Sequence, residues 1–254
     1  MGLKFVAKTT GAVRKAVIGI TLDYEKEGSF AHYPYYALRT HYFEAVERAG
    51  GLPIALPYSA ALQEDYLNLV DGVLIPGGSM AKPLEWYEHG TTHLPYPELP
   101  RAASDIWYAK QCIARKIPFL GICEGMQVLA GVLGCTLTAD VQKSYNTTLQ
   151  HLTRPSHERA ASHIVHIKDR TLLASILKTA ALTTNTIHRE AVLKASSRVV
   201  VSAIAADGVI EAIEAHPNLG HPFALGVEWH PEYFTTPDAP DFNVFTAFIR
   251  ACHG

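Results

Sequence analysis

The sequence predicts a single α/β domain: a mainly parallel central sheet with helices on both faces, extended by antiparallel strands in the C-terminal half. Three observations predict it. Apolar, β-rich runs alternate with segments of helical spacing through the first 134 residues. A polar stretch then separates these from a second half of alternating strands. Within that half Asp207-Gly208 stands between two such strands, a hairpin signal.

Taken in order, residues 1–15 read as a basic, flexible lead-in and 16–254 as the domain. AVIGITL (16–22) is a buried strand. YYALRTHYFEAVERAGG (35–51) carries apolar residues at helical spacing and a double-glycine stop, so it reads as a helix with its C-cap. LPIALP (52–57) is the second strand, ALQEDYLNLV (61–70) a helix, and GVLIPGG (72–78) a third strand ending in a glycine turn. The segment 79–100 is rich in Pro, His and aromatic residues and reads as a long loop, of the kind that is functional or disordered. A helix (101–116), a strand (117–122) and a helix (124–134) complete a β-α order repeated four times, which argues for a parallel sheet. Beyond the polar loop 139–161 come a strand (162–167), a helix-like run (170–178) and a short strand (182–185). The hairpin (197–215), a strand running into a proline (223–232) and a closing helix (242–253) follow. No repeat, low-complexity tract or linker divides the chain.

Composition narrows the function classes. The chain is 48% hydrophobic and 18% charged, as ordinary globular domains are. A net charge of -2 without a basic stripe gives nucleic acid no footing. No run approaches the roughly 18 apolar residues of a membrane span, and the N-terminus lacks a secretory apolar stretch. Cys112, Cys123, Cys135 and Cys252 form no C-x-x-C and read as free thiols in a reducing cytoplasm. The 13 histidines show no ligand spacing, so neither a metal nor a cofactor is expected.

Gly121-Ile122-Cys123-Glu124-Gly125 is where chemistry is expected. Strand, sharp turn and helix around G-x-C-x-G make it the thiol counterpart of the nucleophile elbow. The turn strains the nucleophile's backbone, and glycines two positions away relieve the crowding of strand and helix. Cys123 then sits at the C-terminal sheet edge and at a helix N-terminus, whose partial charge favours thiolate. The other three cysteines read as packing residues.

A thiol attacking an amide needs an acid–base partner. GVEWHPE (226–232) supplies His230, biased toward an extended conformation by the following proline, with Glu232 on the same side. The carboxylate accepts the imidazole Nδ1–H and leaves Nε2 for the sulfur. LIPGGS (74–79) exposes backbone N–H groups at a strand end, which with the N–H of Glu124 can stabilise an oxyanion.

With these pieces placed, the chain resembles the class I glutamine amidotransferase-like proteins, of flavodoxin-like fold. More narrowly, it resembles their γ-glutamyl-γ-aminobutyrate hydrolase branch. IGIT, AVERAGGLPIALP, LIPGG, GICEGMQ, NTIHREAV, ADGVIEAIE and HPFALGVEWHPE carry the resemblance along nearly the whole chain. It implies a three-layer sandwich in which Cys123, His230 and Glu232 form a catalytic triad. It also implies oxyanion donors from the Gly78 and Glu124 main chain, and a pocket for a small γ-glutamyl substrate involving Gly77, Gln127, Asn185, Thr186 and His188. A homodimer is implied as well. The expected reaction is hydrolysis of a γ-glutamyl amide through a thioester on Cys123. The triad equally fits a glutaminase subunit feeding a separate synthetase.

The chain departs from that pattern in four places. Glu124 replaces an arginine and Glu190 a glutamine; the loop after Pro-Gly-Gly reads SMAKP without its usual aspartate; Arg101-Ala102 replaces an Arg-Asp pair. These changes imply altered specificity, and the two glutamates are the features that would suit a non-catalytic binder. A carboxylate turned toward the sulfur would oppose thiolate formation. Tyr33, Tyr35, Tyr36, Trp86 and Tyr87 either wall the pocket for the amine-side group or anchor the loops.

Overall fold

The computed structural model describes residues 14–78, 82–90, 100–152 and 162–253. Most of the expected lead-in, residues 1–13, therefore lies outside the described residues, as do parts of the loops 79–100 and 139–161. In chain order the first half contains β1 (Val17–Thr21), β2 (Asp23–Glu25), β3 (Tyr35–Ala37), α1 (Thr40–Arg48), β4 (Leu52–Leu56), α2 (Gln63–Leu67), β5 (Gly72–Ile75), α3 (Pro100–Arg115), β6 (Phe119–Ile122) and α4 (Glu124–Val132). The second half contains β7 (Thr136–Thr138), α5 (Val141–Tyr145), β8 (His163–Ile167), α6 (Leu172–Leu177), β9 (Ala181–Thr184), β10 (Ala191–Lys194), β11 (Val199–Ala205), β12 (Ile210–Ala215), β13 (Ala224–Val227) and α7 (Phe242–Cys252).

The main sheet runs β4-β1-β5-β6-β13-β12-β11-β8-β9, with β10 and β7 branching from β12. Its first five strands are parallel. Strands β5, β6 and β13 are buried at every position, as strands covered on both faces must be. From β12 outward the pairing is antiparallel, and β8 alternates buried and exposed residues because one of its faces meets water. Ile18, Ile20, Leu120 and Ile122 face α1 and α7 through Tyr42, Val46, Phe245 and Phe248. Val73, Ile75 and Phe119 face α2, α3 and α4 through Leu67, Tyr108, Cys112 and Leu129. The result is the expected three-layer sandwich. No helix among the described residues is long and apolar enough to cross a membrane.

The expected helix 35–51 is two elements. Tyr35–Ala37 pairs antiparallel with Asp23–Glu25, and the Tyr36 hydroxyl accepts the Tyr58 N–H at 3.2 Å, so the helix begins only at Thr40. The helix expected over 61–70 closes to Gln63–Leu67. Three strands went unread: β2, which pairs with β3, and β7 and β10, which pair with each other; all are too short to show a period. So did α5, whose N-cap Asp140 accepts the Lys143 N–H.

Three features of this topology build one edge. Strands β5, β6 and β13 are adjacent and parallel, so the segments leaving their C-terminal ends meet. Those segments are Pro76-Gly77-Gly78, Cys123 and Glu228–Glu232. The Cys123 N–H donates to the Val227 carbonyl at 2.7 Å and prolongs the ladder to the elbow itself. The indole of Trp229, fully buried, donates to Asp241 at 2.8 Å and so ties the β13 exit to the start of α7.

Candidate active site

Cys123 has φ 51° and ψ −106°, a conformation costly for any residue with a Cβ. The chain leaves it no alternative. A Cβ at position 121 would lie 2.4 Å from the Gly125 carbonyl oxygen, and one at 125 would lie 2.1 Å from the Ile75 carbonyl oxygen. Strand, elbow and helix thus touch backbone to backbone, as the glycines led us to expect. Gly125→Ala should force these backbones apart, cost about 3 kcal/mol or more, and lower the melting temperature by about 10 °C. A calorimetric scan showing an unchanged transition would contradict this contact.

His230 and Glu232 are both buried, with Nδ1 2.7 Å from Oε1. The sequence reading placed them on one side of an extended segment. Instead a short 3₁₀ turn, Pro231–Tyr233, folds the carboxylate back onto the ring. Burial alone would raise the Glu232 pKa. The His230 charge and hydrogen bonds from His230 and Tyr42 outweigh it and hold the carboxyl below its usual range. The carboxylate takes the Nδ1–H, and Nε2 has no partner among the described residues. Asn185 fixes the main chain of His230 from both sides: its Nδ2 donates to the His230 carbonyl at 3.1 Å and its Oδ1 accepts the His230 N–H at 2.8 Å.

The glycine turn after β5 divides its two N–H groups. That of Gly77 donates to the Tyr42 hydroxyl at 3.0 Å, while that of Gly78 carries no hydrogen bond among the described residues. Buried Arg101 braces the turn by donating to the Pro76 carbonyl at 2.8 Å, and it is itself held by Asp23 and Asp105. A Cβ on Gly77 would lie 2.5 Å from the His230 ring. Gly77 therefore acts here as a close-packing position against the imidazole.

The two unusual glutamates have a common explanation. Lys82, fully buried, lies between them, with Nζ 2.5 Å from Glu124 and 2.8 Å from Glu190. The Tyr87 hydroxyl adds a 2.6 Å hydrogen bond to Glu190. Lys82 occupies the loop from which the family's aspartate is missing, and Glu124 stands where the family has arginine. Glu124 thus faces a cation as well as the sulfur. Of the five aromatic residues expected near the edge, Tyr87 enters this network, whereas Tyr33 and Tyr36 are exposed.

Gln127 donates to the Glu190 carbonyl at 3.1 Å and to Glu228 at 2.6 Å, and its Oε1 is buried without a partner. Burial first, and the Glu211 charge second, push the Glu228 pKa well up. Thr186 donates to the His151 carbonyl at 2.8 Å, and His188 turns toward His151 and Glu211. Asn185, Thr186 and His188 thus tie His230, His151 and Glu211 together around the site. Cys112 and Cys135 are buried in the apolar layer, as expected of packing residues.

The helix N-terminus favours thiolate, but the groups around the sulfur act the other way. Burial, then the charges of Glu228 and Glu124, raise the Cys123 pKa well above that of a free thiol; the Glu124 N–H and Lys82 oppose this without overcoming it. The shift favours the thiol form, at the end of the strand next to the one that delivers His230. Alkylation of Cys123 by iodoacetamide should therefore show a rate–pH midpoint above the free-thiol value of about 8.5. Glu124→Gln removes one opposing charge and should move that midpoint down. A wild-type midpoint near 7 would show a thiolate instead.

Sequence reasoning missed Lys82, Arg101, Tyr42 and Glu228. One signal for Lys82 was present: two unexpected acids in one site call for a cation, and SMAKP offers it.

The sequence matches the peptidase C26 family over residues 16–232. The γ-glutamyl-γ-aminobutyrate hydrolase PuuD of Escherichia coli (strain K12) is 33% identical over 224 residues, covering 85% of this chain and 86% of that one. A glutamine amidotransferase-like protein of Rickettsia prowazekii is 31% identical, covering 93% and 98%. Among solved structures, the glutaminase domain of Trypanosoma brucei CTPS with bound acivicin superposes with a TM-score of 0.59 at 17% identity, covering 94% of each chain. That last likeness concerns the fold.

Proposed function

Because the chain belongs to the peptidase C26 family, whose hydrolases act on C–N amide bonds, we propose that it cleaves a small γ-glutamyl amide through a thioester on Cys123. The observation that carries this reading is the edge shared by β6 and β13: a strained thiol and a carboxylate-oriented imidazole leave adjacent parallel strands.

The steps follow from the geometry. Substrate brings its γ-carbonyl over Cys123. His230 Nε2 takes the thiol proton as the sulfur attacks, in keeping with a thiol whose pKa is pushed up. The N–H groups of Gly78 and Glu124 receive the oxyanion. The imidazolium then returns the proton to the departing amine. A water, deprotonated by the same nitrogen, opens the thioester and releases glutamate. Glu232 stabilises the imidazolium throughout, and the unpartnered Gln127 Oε1 is the acceptor offered to the substrate's α-ammonium. Four free thiols fit a reducing cytoplasm.

The test is intact mass spectrometry during turnover of γ-glutamyl amides without ATP. The expected result is a transient glutamyl adduct on Cys123 and free amine in solution. Hydrolysis seen only when a synthetase is added would favour the ammonia-supplying reading. No adduct with any γ-glutamyl amide, in folded protein, would end the proposal.

A further inference from the structure

Beneath the site, buried groups from well-separated segments converge: His151 from the loop after α5, His188 from the segment before β10, and Glu211 from β12. The proposed hydrolysis uses none of them directly. Their outer partners fix where the protons are. His151 Nε2 lies 2.9 Å from the Asp207 carboxylate, so that nitrogen carries its hydrogen. His188 Nδ1 lies 2.9 Å from the Glu190 carbonyl, which can only accept, so it too carries its hydrogen.

The inner nitrogens are left with lone pairs. His151 Nδ1 and His188 Nε2 face each other at 3.1 Å. Both face the same oxygen, Glu211 Oε1, at 3.2 and 3.5 Å. Three lone pairs aimed at one point repel unless a cation lies among them. A single proton answers one of these short contacts well; a metal ion answers all three. Tetrahedral zinc with bonds of about 2.0–2.1 Å separates its ligand atoms by about 3.3 Å, which is the size of this triangle. The outer hydrogen bonds, one to a carboxylate and one to a carbonyl, are those that orient metal-bound histidines. His163 adds an Nε2 contact to Glu211 Oε1 at 3.1 Å, while Glu211 Oε2 is buried without a partner.

We propose that His151, His188 and Glu211 hold a divalent transition-metal ion, zinc by the nature of the two-imidazole, one-carboxylate donor set. The ion locks the antiparallel half of the sheet to the segment that carries Asn185 and His188. The missing sequence spacing does not oppose it, because the ligands come from distant parts of the chain.

The test is metal analysis of the full chain purified without chelator, with close to one zinc per chain expected. His151 and Glu211 are fully buried, so exchange requires unfolding. Protein unfolded with EDTA should refold with a clearly higher melting temperature when zinc is supplied, and with the intense visible bands of tetrahedral cobalt when cobalt is supplied. Glu211→Gln should abolish the bands. If that variant does not fold, the wild-type refolding pair decides alone. Less than about a tenth of an ion per chain, equal melting with and without zinc, and no cobalt bands would overturn the proposal. Nitrogen-15 spectra would then show His151 doubly protonated, with a proton as the cation.

Discussion

Cys123→Ala should abolish release of glutamate from γ-glutamyl amides, lowering kcat/KM by about 10⁴-fold or more while the protein still folds. The size follows from what the sulfur does. In the proposed mechanism His230, Glu232 and the N–H groups act only on a bond the nucleophile has begun to break, so their contributions disappear with it. Folding should survive because alanine occupies less space than cysteine and meets the same backbone strain. The thiol also makes no structural hydrogen bond of its own beyond the Glu124 N–H. Steady-state kinetics with a melting curve on the same sample makes the check. A variant retaining a tenth of the wild-type rate would remove Cys123 from the mechanism.

Lys82→Met should be the most damaging change to stability outside the hydrophobic layers. It removes the buried cation that lies between the Glu124 and Glu190 carboxylates, at a cost of about 3–5 kcal/mol. For a chain of this length that is about 10 °C or more in melting temperature. The triple variant Lys82→Met, Glu124→Gln, Glu190→Gln removes both carboxylate charges and should recover most of the loss. Added salt should change little in either protein, because buried charges are poorly screened. If the single variant melts with the wild type, the buried Lys82–Glu124–Glu190 cluster contributes nothing to stability.

These two results rest on residues of different legibility. Cys123 and its glycines announce themselves because a strained turn between strand and helix restricts residue type over five consecutive positions. His230 and Glu232 were legible as a pair, yet the 3₁₀ turn joining them was not, since a proline restrains its neighbours without choosing between turn and strand. The parallel half of the sheet was readable because its strands are buried on both faces and therefore continuously apolar. Strands β7 and β10 have three and four residues and no period to read. Lys82 and Arg101 illustrate the deeper limit. A buried cation is identical in sequence to a solvated one, and only the fold reveals the carboxylates around it. The hydrogen bonds that Asn185, Thr186 and His188 make to His230 and His151, partners far away in the chain, were unreadable for the same reason.

Strands β6 and β13 lie side by side, yet β6 leaves the ribosome long before β13 exists. The Cys123 N–H waits for the Val227 carbonyl, and the imidazole arrives only with the last strand. The Trp229–Asp241 link then requires the closing helix as well. An unfinished chain thus carries a sulfur with no base to activate it. Synthesis itself keeps the sulfur without its imidazole until the last strand and the closing helix have emerged.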